Sequence, residues 1–395
     1  MEDVNRSACE PLIGRSGWRA NRWLGWWIAL GIAGPLASLT FIGLGIVFAG
    51  GIGTLGNNTS IVWGFPIANY VWWIGIGNAG TLISALLLLT RQPWRASINR
   101  FAEAMTLFAA SIAGIFPIIH LGRPYFFYWI FPYPNPMNLW PQWKSALIWD
   151  GWSLLAYIIF SAVFWYAGLI PDLATLRDRA THPITRRMYG AFALGWRGSA
   201  RHWAVHQSFY RVMAGLAVPL VCSVHSIVGL DFAASLMPGW QESLFPPYFV
   251  VGAMFSGFAM VVLLALLIRH GLRLTNLITR RHFDAMGKVL VAAACVMAAS
   301  YATEWFMAWY SGERADRSFL HYAFTGHFAP VYIAMFLFNC VTPQVLWWKA
   351  MRRNYVVLTL VSIGILVGMW FERITIIVNT LGHGYLPTMW RIAWA

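Results

Sequence analysis

The stretch LGWWIALGIAGPLASLTFIGLGIVFAG, from Leu24 to Gly50, decides the fold class because it contains no charged residue and is long enough to cross a membrane. The chain has 395 residues, of which 59% are hydrophobic and 11% charged. Soluble domains carry about 25% charged residues. Arginines precede the run and no small-residue cleavage pattern follows it, so the run predicts a retained span and not a signal peptide.

Windows of about 20 apolar residues predict nine such spans, and therefore an all-α polytopic membrane protein. The predicted spans are residues 24–50, 66–90, 101–121, 146–170, 208–230, 247–269, 286–311, 325–348 and 355–380. The final residues, LPTMWRIAWA, resemble the start of another apolar run. A tenth span beyond residue 395 is therefore left open.

The basic residues predict the orientation of the spans. Of the 28 Lys and Arg residues, 22 lie in the amino-terminal tail or in and beside every second loop. By the positive-inside rule these segments and the amino terminus face the cytoplasm, which suits a multi-pass protein of a bacterial inner membrane. Topology thus explains the net charge of +14, and no nucleic-acid partner is expected.

A short internal repeat predicts two similar halves. RFAEAM (Arg100–Met105) opens the third span and RHFDAM (Arg281–Met286) opens the seventh, so a four-span unit would keep its orientation on duplication. Five segments follow in chain order. They are a cytoplasmic tail (1–23), a peripheral helix (24–50), the first four-helix bundle (66–230), the second four-helix bundle (247–380) and a short outer segment (381–395).

Resident redox centres are not expected in this chain. Its four cysteines form no C-x-x-C pair, which argues against an iron–sulfur cluster, a c-type haem or a structural metal site. A haem between two spans stays open, because His120, His225 and His327 have suitable predicted depth. The other histidines considered are predicted to lie in cytoplasmic loops: His182, His202, His206, His270 and His282.

The sequence GIGNAG (Gly75–Gly80) fits the glycine pattern of dinucleotide-binding sites literally. That pattern requires a preceding strand, whereas this one lies within an apolar span. Small residues at this spacing instead favour close contact between helices.

Ionisable side chains in the spans converge on the predicted outer face. An ionisable group in hydrocarbon costs about 2.5–3.5 kcal/mol on insertion scales, so such groups are usually paired or functional. The outer groups are His120, Asp150, His225, Asp231, Tyr301, Glu304, Glu372 and Arg373.

Each of these groups also has a structural interpretation. His120 could lie at the interface, Asp150 could be an N-cap or first-turn acid, and Asp231 could belong to an outer loop. Glu372 and Arg373 could form an ion pair within a bundle. Their shared depth favours a function, because independent placement would distribute them over both leaflets.

A shallow pocket with a histidine, carboxyl groups and aromatic side chains suits a quinol. Its headgroup needs a hydrogen-bond partner for each oxygen, and its oxidation needs acceptors for two protons. We therefore predict that His120 binds quinol and takes a proton, that Asp150 is the second acceptor or orients His120, and that Asp231 passes protons outward. Arg123 is predicted to be an interfacial anchor, and the aromatic segment 122–144 a lid or docking surface.

The chain also resembles the NrfD-like membrane subunits of the polysulfide reductase type, most closely the ActC subunit of bacterial alternative complex III. The resemblance runs from about Val62 to Leu386. It is carried by VWWIGIGNAGTLISALLLL, INRFAEAM, HLGRPYFFYWIFPYPN, GLIPDLATLRDRA, ALGWRGSARHW, FPPYFVVGAMFSGFAMV and GMWFERITIIV.

This resemblance implies quinol oxidation, with menaquinone as the expected quinone. Its expected partners are a periplasmic iron–sulfur subunit, c-type haem subunits and a second NrfD-like membrane subunit. The family's outer-side His and Asp residues fall here on His120, Asp150 and Asp231, with Arg373 in the FER segment. His225 and Tyr301 are further candidates for quinol binding. The proton-path candidates are Glu304, Glu372, Glu103 and Asp284.

Two other functions remain open at this point. A non-catalytic anchor, similar to the second NrfD-like subunit of the same complex, would share the fold without a site. A secondary transporter built on the repeat would place its site at the membrane midplane and break helices there. The pairing of His120 with Asp150 at one depth favours the quinol-oxidising subunit over both.

Overall fold

The computed structural model describes residues 20–55, 63–92, 94–272 and 274–383. The predicted amino-terminal tail up to residue 19 lies outside the described residues. So do residues 384–395, with the possible tenth span.

The prediction of an all-α membrane protein is confirmed, since nine helices in the described ranges are long and apolar enough to cross a membrane. We label the membrane helices α1 to α9 in chain order. They are α1 (Ala20–Gly50), α2 (Phe65–Leu89), α3 (Arg95–His120), α4 (Ala146–Arg179), α5 (Ala200–Ala233), α6 (Phe245–Gly271), α7 (Arg280–Tyr310), α8 (Ala329–Trp347) and α9 (Tyr355–Gly382).

Several helices continue beyond the predicted spans at their basic ends. Charged residues are compatible with a helix once it has left the hydrocarbon, and a hydropathy window misses these turns. Five histidines were predicted to lie in cytoplasmic loops, and this prediction is wrong for four of them. His202 and His206 belong to α5, His270 to α6 and His282 to α7.

The helices α8 and α9 contain irregular turns. α8 changes from α-helix to a π turn at Leu337–Val341 and then to a 3-10 helix at Thr342–Trp347, where Pro343 cannot donate a backbone hydrogen bond. α9 contains a π turn at Thr375–Asn379. Such turns often occur at functional sites because they reorient side chains within a helix.

Shorter helices connect the membrane helices. Those at the end where α3 finishes are 3-10 helices at Ile52–Leu55 and Pro124–Ile130 and an α-helix at Arg314–Thr325. At the opposite end lie α-helices at Pro183–Phe192 and Lys349–Arg352. Following the predicted orientation, we call these the outer end and the inner end.

Helix packing joins α2 to α3 and α5, while α4 contacts α3 and α5. In the second half of the chain, α6 contacts α7 and α9, and α8 contacts both α7 and α9. The two sets meet mainly through α6, which packs against α2 and α5. The division into bundles at 66–230 and 247–380 stays a prediction. Between residues 27 and 50 of α1, Val47 is the one buried side chain.

The GIGNAG segment lies inside α2, as predicted, and its glycines allow close helix contacts. A Cβ atom on Gly80 would collide with the Ala102 carbonyl oxygen of α3. On the partner helix α6, a Cβ atom on Gly257 would overlap the Cβ of Ala79. The helices α2, α3 and α6 can therefore approach this closely because they carry no side chains at these points.

We expect Gly257→Ala to destabilise the protein by about 1–3 kcal/mol, because an overpacked contact must move apart. The measurement is the thermal unfolding midpoint in detergent. Gly45→Ala in α1 is the matched control, because a Cβ atom there meets nothing within 4 Å. Equal midpoints for the two variants would contradict the importance of this contact.

Candidate functional site

Two aspartates meet at the outer end of α4 and α5. Asp150 is buried and accepts a hydrogen bond of 2.5 Å from the Tyr70 hydroxyl of α2. The Asp231 carboxyl lies beside that of Asp150 and near Tyr70. One oxygen of each carboxyl group, Oδ1, is buried and receives no hydrogen bond from an N–H or hydroxyl donor, and the two carboxyl groups lie close enough to share a hydrogen bond with each other. The pair can thus accept hydrogen bonds from a molecule that reaches it.

The structure excludes two of the structural interpretations of these aspartates. The N-cap of α4 is Ser145 and its first turn contains no acidic residue, so Asp150 does not cap the helix. Asp231 lies in the last turn of α5 and not in a loop. Both carboxyl groups are instead held by the packing of their helices, because α5 and α4 contact each other.

The hydrogen bond of Tyr70 to Asp150 belongs to a row along α2 and α4. The Tyr157 hydroxyl of α4 donates to the Gly77 carbonyl of α2 at 2.9 Å. Further in, the Thr81 and Ser161 hydroxyl oxygens lie 3.3 Å apart. Each pair is separated by 80 residues in the sequence. The two helices therefore run parallel in a fixed register, which sets the position of Asp150.

His120 is the last residue of α3, at the same end as the aspartates, and is half-buried. Its Nδ1 atom is buried without a hydrogen-bond partner. Among the described residues, His120 makes no hydrogen bond or ion pair with Asp150 or Asp231. Arg123, three residues further on, is exposed and caps the 3-10 helix that follows.

His225 is fully buried where α2, α5 and α6 meet. The side-chain amide of Asn78 lies in hydrogen-bond contact with its Nδ1 atom. The Nε2 atom has no partner and faces the α2 backbone at Gly75. Arg373 of α9 is close enough to affect His225 electrostatically. His225 is therefore held by the middle of α2 and lies near Arg373 of α9.

The Glu372–Arg373 ion pair, which was the structural interpretation of these two residues, is present and buried. Arg373 Nη1 lies 2.7 Å from Glu372 Oε1, and the guanidinium covers the Phe249 ring at 4.3 Å. The Tyr301 hydroxyl donates to Glu372 Oε2. Asn339, in the π turn of α8, donates to the Tyr301 hydroxyl at 2.9 Å. These contacts hold α7, α8 and α9 together.

A row of acids leads from this pair toward the outer end. Glu304 and Glu372 line one cavity with Tyr248, Tyr301 and Tyr332. Glu304 interacts electrostatically with Glu242 and Asp316. Glu242 lies in the α5–α6 loop, and Asp316 lies on the helix between α7 and α8. The row thus connects the interior of the second half with the outer surface.

The two acids matched in the repeat lie at the inner end but have different partners. Glu103 is buried and accepts hydrogen bonds from Ser84 and, at 2.6 Å, from Tyr210. Asp284 pairs with Arg352 at 3.0 Å and with Lys288 at 3.5 Å. Both bonds to Glu103 end on Oε1 and its buried Oε2 receives none, whereas Asp284 has two cationic partners.

The sequence reasoning missed the partners of these groups. Asn78 and Asn339 are polar residues within apolar helices, so the criterion applied to the ionisable residues could have found them. Tyr70 and Tyr210 carry no such signal, because tyrosine is common near membrane interfaces. Among the described residues, no group of three His, Cys, Asp or Glu side chains is arranged to hold a metal ion.

Comparison with known proteins gives the family. The family model described as "Polysulphide reductase, NrfD" matches residues 53–382. The chain belongs to this family. The resemblance to NrfD-like membrane subunits that was drawn from the sequence motifs is thereby confirmed.

Two curated relatives are similar to part of this NrfD-family chain. The putative membrane C-subunit of the dimethyl sulfoxide reductase of Halobacterium salinarum is 23% identical over 297 residues, 73% of this chain and 61% of the relative. The C-subunit of the selenate reductase of Mesobacillus selenatarsenatis is 23% identical over 210 residues, 51% of this chain and 47% of the relative. The chain thus spans about half to three-fifths of the length of these relatives.

We expect stability to depend on pH through Glu242. Burial, and secondly the nearby Asp316, raise the pKa of Glu242 from 4.5 to about 7. The folded state therefore holds this proton more tightly than the unfolded state. Its contribution to stability is fully present below about pH 4.5 and is lost as the pH rises to about 7.

The measurement is the thermal unfolding midpoint across this pH range in detergent. Glu242→Gln should flatten the decline, because the amide cannot lose a proton. Glu313→Gln, at an exposed position, should retain it. Parallel curves for the wild type and Glu242→Gln would show that Glu242 does not cause the decline.

Proposed function

We propose that this chain is the quinol-oxidising membrane subunit of a bacterial quinol:electron-acceptor oxidoreductase of the alternative complex III type. Quinol would bind near the periplasmic face, and the amino terminus would be cytoplasmic. Electrons would pass to a periplasmic iron–sulfur subunit and c-type haem subunits, beside a second NrfD-like subunit. Menaquinone is the quinone that the sequence resemblance favours.

The observation that carries the proposal is the adjacent pair Asp150 and Asp231 with a buried, unpartnered oxygen on each. A quinol headgroup carries two hydroxyl donors, and unpaired buried acceptors make such donors favourable. His120 offers a further unpartnered atom at the same end, Nδ1. The outer ends of membrane helices also suit a ligand whose isoprenoid tail stays in the lipid.

The proposed reaction removes two electrons and two protons from quinol and leaves quinone. Asp150 and His120 would accept the hydroxyl protons, and Asp231 would pass them to the outer aqueous phase. The electrons would leave through the iron–sulfur partner. Tyr70 is a positioning residue, because its hydroxyl holds Asp150 Oδ2 and leaves Oδ1 available.

His225, Arg373 and Tyr301 are proposed as the deeper part of the quinol site. Arg373 lies close to His225, and Tyr301 joins it through Glu372. Within the described residues, this group makes no hydrogen bond or ion pair with Asp150. Its proposed role is therefore to shape the wall between the two halves and not to take a proton.

Glu372 and Glu304 are proposed as a proton path to the outer face, continued by Glu242 and Asp316. Glu304 and Glu372 line one cavity, and buried carboxyl groups on such a cavity can pass protons through water. Glu103 and Asp284 are proposed as candidates for proton entry at the inner end.

The names of the curated relatives favour a second candidate assembly. Both relatives are named as subunits of a reductase, one for dimethyl sulfoxide and one for selenate. In that assembly the same outer site would oxidise quinol, and the electrons would go to a terminal reductase instead of to haem subunits. Spectra of the purified complex separate the two, because c-type haem is present in the first assembly alone.

We expect Asp150→Asn to lower quinol oxidation by the purified complex by about tenfold or more. The amide oxygen can still accept the hydrogen bond from Tyr70, so the fold should persist while the proton acceptor is lost. The measurement is quinol-to-acceptor turnover, with subunit and cofactor content checked.

Asp178→Asn is the matched control, because this aspartate lies on the same helix with an exposed side chain that pairs with Arg177. It should keep wild-type turnover. Unchanged turnover in Asp150→Asn, with the complex intact, would refute the outer site and favour a membrane anchor without a site.

We expect Glu304→Gln to slow turnover at saturating quinol by about tenfold while KM changes little, because a proton path acts after binding. Proton release from vesicles containing the complex should slow in parallel. Glu313→Gln serves as the control. If proton release and turnover both stay at the wild-type rate, the acid row does not conduct protons.

A further inference from the structure

The connection between α4 and α5 carries an unusual concentration of positive charge. Residues 179–201 contain five arginines and no acidic residue, and Asp178 immediately before them pairs with Arg177 and lies near Arg186. The five arginines are Arg179, Arg186, Arg187, Arg197 and Arg201. The connection contains a ten-residue helix, Pro183–Phe192, followed by a turn at Leu194 and Gly195. Neither the proposed quinol site nor the acid row uses any part of it.

Hydrogen bonds hold this connection against α4 at the depth where α4 leaves the hydrocarbon. The Tyr166 hydroxyl donates to the Phe192 carbonyl at 2.6 Å, and Arg177 Nη1 donates to the Trp196 carbonyl at 3.0 Å. Residues 146–165 of α4 span about 30 Å at 1.5 Å per residue, which is the thickness of a hydrocarbon core. α4 continues for 13 residues beyond Tyr166, and the chain then folds back along it.

One face of the 183–192 helix is apolar and exposed. Ile184, Met188 and Phe192 recur every fourth residue and are 60%, 57% and 54% exposed. The opposite side contains Gly190, which packs against the Arg177 side chain of α4. The apolar stripe therefore points away from α4, and its Phe192 end lies beside Tyr166 of α4.

Leu194 extends this stripe in a conformation that leucine rarely adopts. Its φ is +47° and its side chain is 67% exposed. A bulky residue with positive φ is strained and persists where its surroundings compensate for the cost. Insertion of the side chain into the acyl region of a membrane would supply that compensation.

We propose that the 183–192 helix and Leu194 form an interfacial anchor that binds anionic phospholipid. The apolar stripe would enter the acyl boundary, and Arg187 and Arg197 would contact lipid phosphates. An amphipathic helix with basic flanks has the composition of segments that lie in the membrane interface. Anionic headgroups, and not zwitterionic ones, complement five arginines without an acid.

Site-directed spin labelling of the full chain in lipid nanodiscs tests the insertion. A nitroxide at Met188→Cys, in a background without the native cysteines, should collide readily with oxygen and poorly with a water-soluble nickel chelate. A nitroxide at Thr181→Cys, in the exposed turn before the helix, should show the opposite. Chelate access at position 188 would overturn the proposal. Exclusion of both reagents would mean that a protein covers the stripe, which also overturns it.

Native mass spectrometry of the purified complex, with its own cysteines, tests the headgroup preference independently. The complex should retain phosphatidylglycerol in preference to phosphatidylcholine. Arg187→Gln combined with Arg197→Gln should weaken that preference by about tenfold or more. Arg353→Gln, an exposed arginine of the α8–α9 connection, is the control and should keep it. Equal retention of the two lipids, or equal loss in the control, would overturn the proposal.

Discussion

The close packing of α2 is the constraint on which the polar interior depends. α2 is the most deeply buried membrane helix, because Gly80 meets α3 and Ala79 meets Gly257 of α6 without intervening side chains. In such a dry environment a buried polar group without a partner is costly. α2 supplies those partners at three depths, with Tyr70 for Asp150, Asn78 for His225 and Ser84 for Glu103. Any change that moved α2 outward would therefore disturb all three groups together.

Polar contacts in the second half depend on irregular helices instead of small residues. Asn339 reaches Tyr301 and Glu372 from the π turn of α8, and its side chain and that of Phe338 lie against Gly368 of α9. Without the extra residue of the π turn, the side chains that follow it would be rotated by about 100°, the turn of one residue in an α-helix. The extra residue in the π turn thus directs an amide toward a buried acid while the helix axis continues.

Much of the fold could be predicted from the sequence, because a long apolar run in lipid has few alternatives to a helix. Nine spans follow from the hydropathy of the chain, and the GIGNAG segment followed from its apolar context. The helical structure of the basic ends of α4, α5 and α7 could not be predicted, because charged residues outside the hydrocarbon do not distinguish helix from loop. The partners of the acids were equally hidden. Tyr70 meets Asp150 only because α2 and α4 run parallel in one register, which depends on packing and not on local sequence.

The acids at the inner end and those at the outer end have different partners, and that difference indicates where a substrate can act. Glu103 receives two hydroxyl donors and lies 3.7 Å from Arg95, while Asp284 has two cationic neighbours. Asp284 is thus electrostatically satisfied by the protein itself, and Glu103 has a cation close by although its buried Oε2 receives no hydrogen bond. Asp150 receives one hydroxyl donor, from Tyr70, and lies beside another acid, Asp231, with no ion-pair partner among the described residues. Two adjacent carboxyl groups with too few donors favour a molecule that brings hydroxyl groups and can leave its protons behind. A quinol has both properties, so the two adjacent acids, which have no cationic partner among the described residues, are the argument for the proposed site.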